Sequence, residues 1–207
     1  MYWAEFFTIA VAHLFAVASP GPDFAIVTRQ CMSGGTRAGV WTSLGVSSAI
    51  LLHVTYCILG VALLLAQSTT LFNSMKYLAA AYLVYLGVQS IRASFRQTNT
   101  ALFTRGEVAI SPSKAFVVGF LTNGLNPKAT LFFLALFTVV IDSNTPSSIQ
   151  ALYGLYLAIA TFLWFSMLSK ILGRPNVRAL IIKTRNWVER GMGAILILLA
   201  LQISMSA

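Results

Sequence analysis

The chain is short of charge: 9% of its 207 residues are Asp, Glu, Lys or Arg, and only five are acids. Soluble domains carry about 25% charged residues, so an ordinary water-facing surface is excluded. Cysteine is scarce too, since Cys31, read as lying in a loop, and Cys57, read as helical, form no CxxC pair and have no third partner. That excludes a disulfide framework and a cysteine metal centre. The two histidines, His13 and His53, lack metal-ligand spacing, and there is no HExxH, GxSxG or Walker lysine loop. The expectation is therefore a protein with no catalytic residues, no metal and no cofactor.

What is there instead is apolar. Hydrophobic residues make up 57% of the chain and the mean hydropathy is +0.79, the composition of a polytopic membrane protein. A net charge of +9 would suggest nucleic acid in a soluble protein. Between membrane spans it has a simpler meaning, because Lys and Arg mark cytoplasmic loops, so no nucleic-acid partner is expected and the lipid bilayer is. Ala16-Val17-Ala18 resembles a signal cleavage site, but no basic residue precedes it and Glu5 is acidic. The first apolar run is accordingly read as a retained span.

Windows of the roughly twenty residues needed to cross a bilayer fall at Trp3 to Thr28, Val40 to Ala66, Leu71 to Ser90, Ala115 to Val140, Ile149 to Leu172 and Trp187 to Met205. The connections between them are too short for a separate domain. The fold class expected is an all-α membrane protein, residues 1–207 forming a single transmembrane domain of six helices. Arg29 and Arg37 follow the first span, Arg92, Arg96, Arg105 and Lys114 the third, and Lys170, Arg174, Arg178, Lys183, Arg185 and Arg190 the fifth, against Lys76 alone on the other side. The positive-inside rule then puts both termini outside and the odd-numbered connections in the cytoplasm. Trp3, Trp41, Tyr77 and Trp187 suit the aromatic belts, and the basic stretch before Trp187 reads as a short helix on anionic headgroups or as a partner-binding element.

Spans one and four are both interrupted. The first carries Ser19-Pro20-Gly21-Pro22-Asp23 and the fourth Thr122-Asn123-Gly124-Leu125-Asn126-Pro127-Lys128. Spans three and six share a spacing of small residues, Ala79 to Gly87 matching Gly191 to Ala200. Three spans per half is odd, so the halves enter from opposite sides: repeat one covers about 1–95, a cytoplasmic connection about 96–113, and repeat two about 114–207. Two inverted three-helix repeats with broken first and fourth helices are a design for alternating access. In span two, Gly45, Ala49, His53, Tyr56 and Gly60 share one face suited to close packing in a bundle.

Broken backbone inside a membrane is tolerated only against protein or a watery cavity, and an acid there marks function by default. Asp23 is that acid. The breaks at Pro20, Gly21, Pro22 and Pro127 start new half-helices, with Ser19 or Gly21 and Asn126 as caps. Asp23 at such a start is favoured by the helix dipole, whereas Lys128 is disfavoured and calls for an anion. Two readings of each stand: Asp23 as a site residue or as a cap, and Lys128 as a partner of Asp23 or of an anionic ligand, or as a lysine that snorkels to the headgroups. His13 is a candidate proton relay to Asp23 or a packing histidine, and His53 reads as packing. Asn123, Thr122 and Ser19 are neutral groups for a cavity or for helix contacts, and Trp164 reads as lipid-facing or packed.

These residues resemble a known family. Ser19-Pro20-Gly21-Pro22-Asp23-Phe24, Asn126-Pro127-Lys128-Ala129, Gly45 with His53, and Tyr82-Leu83-Val84-Tyr85-Leu86-Gly87 are similar to the LysE/RhtB amino-acid exporters over nearly the whole chain. His13 ten residues before Asp23 is similar to the threonine-exporter branch. The resemblance implies a multi-pass protein of the bacterial inner membrane that exports amino acids or their derivatives, threonine- or homoserine-like ones included, by proton antiport. Asp23, Lys128, Asn126, Asn123 and Ser19 would then bind substrate or couple protons, and a homo-oligomer is compatible with the sequence. The rival classes are a channel or structural subunit, and a six-span thiol electron carrier, which would need cysteines in spans one and four.

Overall fold

Prolines mark the start of most helices in this chain. The computed structural model describes residues 2–67, 69–95, 109–142, 144–172 and 174–205, and among them every regular element is helical. Helix α1 is Tyr2–Ala18 and α2 is Pro22–Gln67; α3 is Thr69–Ala93, α4 is Pro112–Gly124 and α5 is Pro127–Ala135; α6 is Ser147–Ile171 and α7 is Pro175–Met205. A π-helical turn, Leu136–Val140, extends α5. Four of the seven helices thus have proline at their first residue, where its missing N–H costs nothing.

The expected first break is present. Helix α1 stops at Ala18 and α2 restarts at Pro22, with Asp23 in its first turn. The second break matches as well: α4 ends at Gly124, and Asn126 caps α5 by accepting the Lys128 backbone N–H at 3.0 Å.

Two expectations need correction. The connection between the first two windows, Arg29 to Gly39, is not a loop. Helix continues through it, Cys31 included, and only Gly35 leaves helical geometry, at φ 77° and ψ 177°. A positive φ of this size is open to glycine and strained for other residues, so one glycine supplies the whole turn between the two segments. The basic stretch before Trp187 likewise forms no separate helix, because α7 runs unbroken from Pro175 through Trp187 to Met205. The Arg96 and Arg105 connection lies outside the described residues.

The surface is apolar and the interior is partly polar. On α6, Leu152, Leu155, Ile159, Leu163 and Met167 form an exposed stripe, while Gly154, Thr161, Ser166 and Ser169 of the same helix are buried. Helix α1 repeats the pattern, exposing Trp3, Phe7, Val11 and Leu14 and burying Glu5, Ile9, Ala12 and His13. That is the reverse of a soluble helix and suits a hydrocarbon solvent. By length and composition Pro22–Gly60 and Ser147–Ile171 can each cross a bilayer, and Tyr2–Ala18 and Pro127–Thr138 are shorter apolar helices.

Close contacts occur where glycine removes a side chain. A Cβ added at Gly45 would strike the Phe116 carbonyl oxygen, and one at Gly119 the Thr42 carbonyl oxygen, so α2 and α4 meet backbone to backbone. Gly87 of α3 and Gly193 of α7 stand in the same relation to each other's carbonyl oxygens. Among the described residues nothing lies within 4 Å of a Cβ added at Gly60, so no close contact is seen there for the expected small-residue face of α2. At the start of α1, Glu5 is buried and accepts from the Thr145 hydroxyl at 3.0 Å and the Asp142 backbone N–H at 3.3 Å. This carboxylate pins α1 to the connection between α5 and α6.

Candidate functional site

Both breaks open onto one cavity. It has a volume of about 60 Å³, and its polar lining is His13, Ser19, Asp23, Asn123, Asn126, Lys128 and Thr161. Phe132, Phe133, Phe165 and Met192 supply apolar walls. The two prolines that start α2 and α5 therefore bring two helix N-termini, each with free N–H groups, to the same space.

Around Asp23 the hydrogen bonding is incomplete. Its Oδ2 accepts from Asn123 Nδ2 at 3.0 Å, while Oδ1 is buried with no hydrogen-bond partner among the described residues, as is Asn123 Oδ1. Lys128 Nζ reaches Ser19 Oγ at 3.5 Å, a long contact for an ammonium. Neither charge closes on the other. Asp23 and Lys128 face one cavity as a separated pair, and Gly21 sits beside the ammonium, where an added Cβ would lie 3.7 Å from it. A carboxylate and an ammonium held apart in a partly apolar cavity can each take a ligand group of opposite charge.

His53 supports this from behind. Its Nε2 lies 3.1 Å from the Asn123 carbonyl oxygen, its Nδ1 bonds to the Tyr56 hydroxyl, and its ring stacks on Phe133 at 5.3 Å between centroids. A carbonyl can only accept, so Nε2 carries a proton and donates to Asn123. This packing histidine thus fixes the backbone that aims Asn123 at Asp23.

The residues expected at the site are mostly brought together: Ser19, Gly21, Pro22, Asp23, Asn123, Asn126 and Lys128 line the cavity, with His13 among them. His13 Nε2 bonds to Thr161 Oγ1 at 2.8 Å, and among the described residues no hydrogen bond joins it to Asp23. Pro20, Pro127 and Thr122 are not lining residues, the prolines serving only the breaks. Trp164 packs partly buried against the Phe24 and Phe165 cluster. Sequence reasoning missed Thr161 and the phenylalanine walls, because a lone threonine or phenylalanine in an apolar helix carries no local signal. Glu189, near the start of the window Trp187 to Met205, carries no such signal either. That carboxylate is buried, ion-paired to Arg185 at 2.9 Å.

The model of the LysE type translocator family matches residues 14–207. A threonine efflux protein of Escherichia coli strain K12 is 26% identical over 193 residues, covering 92% of each chain. A leucine efflux protein of Salmonella choleraesuis is 31% identical over 171 residues, 81% of this chain and 76% of that one. The membrane protein YrhP of Bacillus subtilis is 32% identical over 162 residues, 75% of this chain and 77% of that one. No solved structure matches the chain.

Proposed function

The chain belongs to the LysE type translocator family, and from that premise we propose that it exports an amino acid from the cytoplasm across the bacterial inner membrane in exchange for protons. The observation that carries this reading is the separated pair: Asp23 and Lys128, each at a half-helix start, line one cavity. A zwitterionic amino acid carries the complementary charges. Its ammonium is received by Asp23 Oδ1, which has no other hydrogen-bond partner among the described residues. Its carboxylate is received by Lys128 Nζ and by N–H groups at the start of α5. Phe132, Phe133 and Phe165 then face the side chain, which suits a small polar or aliphatic residue. The relatives named for threonine and leucine efflux support that substrate class.

Coupling follows from the same carboxylate. When Asp23 takes up a proton from the outside it becomes neutral and releases the ammonium; when it gives that proton to the cytoplasm it can bind a new one. One proton enters as one zwitterion leaves, and His13, on the cavity wall, is placed as a relay. The architecture that lets Asp23 face each side in turn is six spans in two inverted repeats, in which α1 with the first part of α2 matches α4 with α5. Both termini then face outward.

The test is transport in inside-out vesicles supplied with labelled threonine, leucine and homoserine under a proton gradient of either sign. Saturable uptake that follows the gradient's direction is expected. Flux that neither saturates nor responds to the gradient would mark a channel and overturn the reading.

A further inference from the structure

A second cavity lies beside the first, between α1 and α6. Its volume is about 230 Å³, against about 60 Å³ for the central one. His13 and Val17, one turn apart on α1, line both, and on α6 Ala160 of the second cavity precedes Thr161 of the first. The wall between the two is therefore one side chain thick. One hydrogen bond holds His13 in it, Nε2 to Thr161 Oγ1 at 2.8 Å. Tyr156, Trp164 and Met167 complete the lining from α6, with no charged side chain among the described residues. The indole N–H of Trp164 is buried and has no hydrogen-bond partner among the described residues. Leu14, Leu163 and Met167 form an exposed rim, so this lateral cavity also opens on the apolar outer surface.

Resting on the proposed export of an amino acid, we propose that the lateral cavity is a side-chain subsite, which fits the protein to amino acids with bulky apolar or aromatic side chains. Size is the first argument. A single water needs about 10–15 Å³ of such space, so the central cavity holds about four to six water-sized groups. The ammonium, α-carbon and carboxylate of an amino acid use that room, and threonine's short side chain adds little. An isobutyl or benzyl group does not fit in what is left. Position is the second argument. The charged ends are held at the starts of α2 and α5, which leaves the wall of α1 and α6 to the side chain. A longer one reaches the lateral cavity by way of Val17 and the edge of the His13 ring. A lipid tail covers the rim from outside, whereas only a group already bound in the central cavity meets the inner end at His13 and Val17. The lining suits that group: it is apolar, and the unpartnered Trp164 N–H can donate to the face of an aromatic ring.

The experiment measures KM and kcat for labelled threonine, leucine and phenylalanine in inside-out vesicles containing wild-type protein or Ala160→Phe, with folding checked by thermal unfolding in detergent. Ala160 lines the lateral cavity and not the central one, so the substitution fills the subsite and leaves the charged groups in place. KM for leucine and phenylalanine should rise about tenfold, the scale of one apolar side chain denied its burial, while KM for threonine stays within about twofold. An equal change for all three amino acids marks a general packing effect and overturns the proposal. No change for leucine and phenylalanine marks a cavity that only lipid enters, and overturns it too. If Ala160→Phe does not insert, Ala160→Leu decides: a KM raised for leucine and phenylalanine alone supports the subsite, and any other pattern rejects it. Wild-type protein that carries threonine but neither larger amino acid along a proton gradient also rejects the subsite. Wild-type protein that moves none of the three overturns the export reading itself instead.

Discussion

One oxygen of Asp23 is held by Asn123 and the other has no partner among the described residues, which divides structural from functional work within a single side chain. Asp23→Asn keeps an acceptor for Asn123 Nδ2 and removes only the charge. It should insert and unfold like wild type yet weaken gradient-driven efflux by at least about a hundredfold, the scale set by removing a charge-assisted hydrogen bond from a poorly solvated site. Full gradient-driven flux in that variant would remove Asp23 from the coupling step. Lys128 is tested by affinity. Lys128→Ala should raise KM for amino acids, and Lys128→Arg should rescue it poorly, because a planar guanidinium cannot replace a compact ammonium in the space beside Ser19 and Gly21. An unchanged KM in Lys128→Ala would take Lys128 out of the site. Asp23 and Lys128 could be found in the sequence because charge is rare in apolar runs and both follow a proline. Glu189 could not, since it lies at the very start of the sixth apolar window, and its burial depends on the packing of α3, which leaves no mark in the local sequence.

Elements here are shaped by what interrupts them. Asn126→Ala removes the cap of α5 and should cost about 1 kcal/mol, read as a lower unfolding temperature in detergent. Gly45→Ala is the harsher change, because its Cβ would meet the Phe116 backbone, which cannot rotate away. A destabilisation of about 1–3 kcal/mol is expected from overpacking. Gly60→Ala serves as the contrast: the space is open among the described residues, and relief of glycine's entropy cost should leave stability equal or raise it by about 0.5–1 kcal/mol. If Gly45→Ala unfolds no earlier than Gly60→Ala, α2 and α4 do not meet backbone to backbone. The sequence displayed the breaks clearly, since proline acts on its own backbone. It misled at Gly35, where polar residues looked like a loop, and at the basic stretch, which read as a short helix of its own. Helix persists there because only one residue needs a positive φ, and because Arg and Lys are good helix formers that carry α7 through Arg185 to Arg190.

At the level of the whole molecule, the exposed apolar stripes of α1 and α6 suit a bilayer, and under the proposed six-span reading the basic residues say which way the chain faces. Arg29, Arg37, Arg92, Lys114, Lys170 and Arg174 stand near helix ends or bends, and gathering them on one side is possible only if the chain crosses an even number of times between successive clusters. An inverted pair of three-span repeats satisfies this condition. Two halves of parallel orientation would put Lys114 and Arg37 on opposite faces, against the rule that holds short basic connections in the cytoplasm. The arrangement therefore predicts the address of particular residues. Ser148, exposed at the start of α6, should lie outside, and Ser113, exposed at the start of α4, inside. A membrane-impermeant maleimide applied to intact cells should label Ser148→Cys at once and Ser113→Cys only after permeabilisation. The native thiols add little background, because Cys31 and Cys57 are buried. Labelling of Ser113→Cys from outside would invert the topology, and with it the direction in which Asp23 must carry its proton.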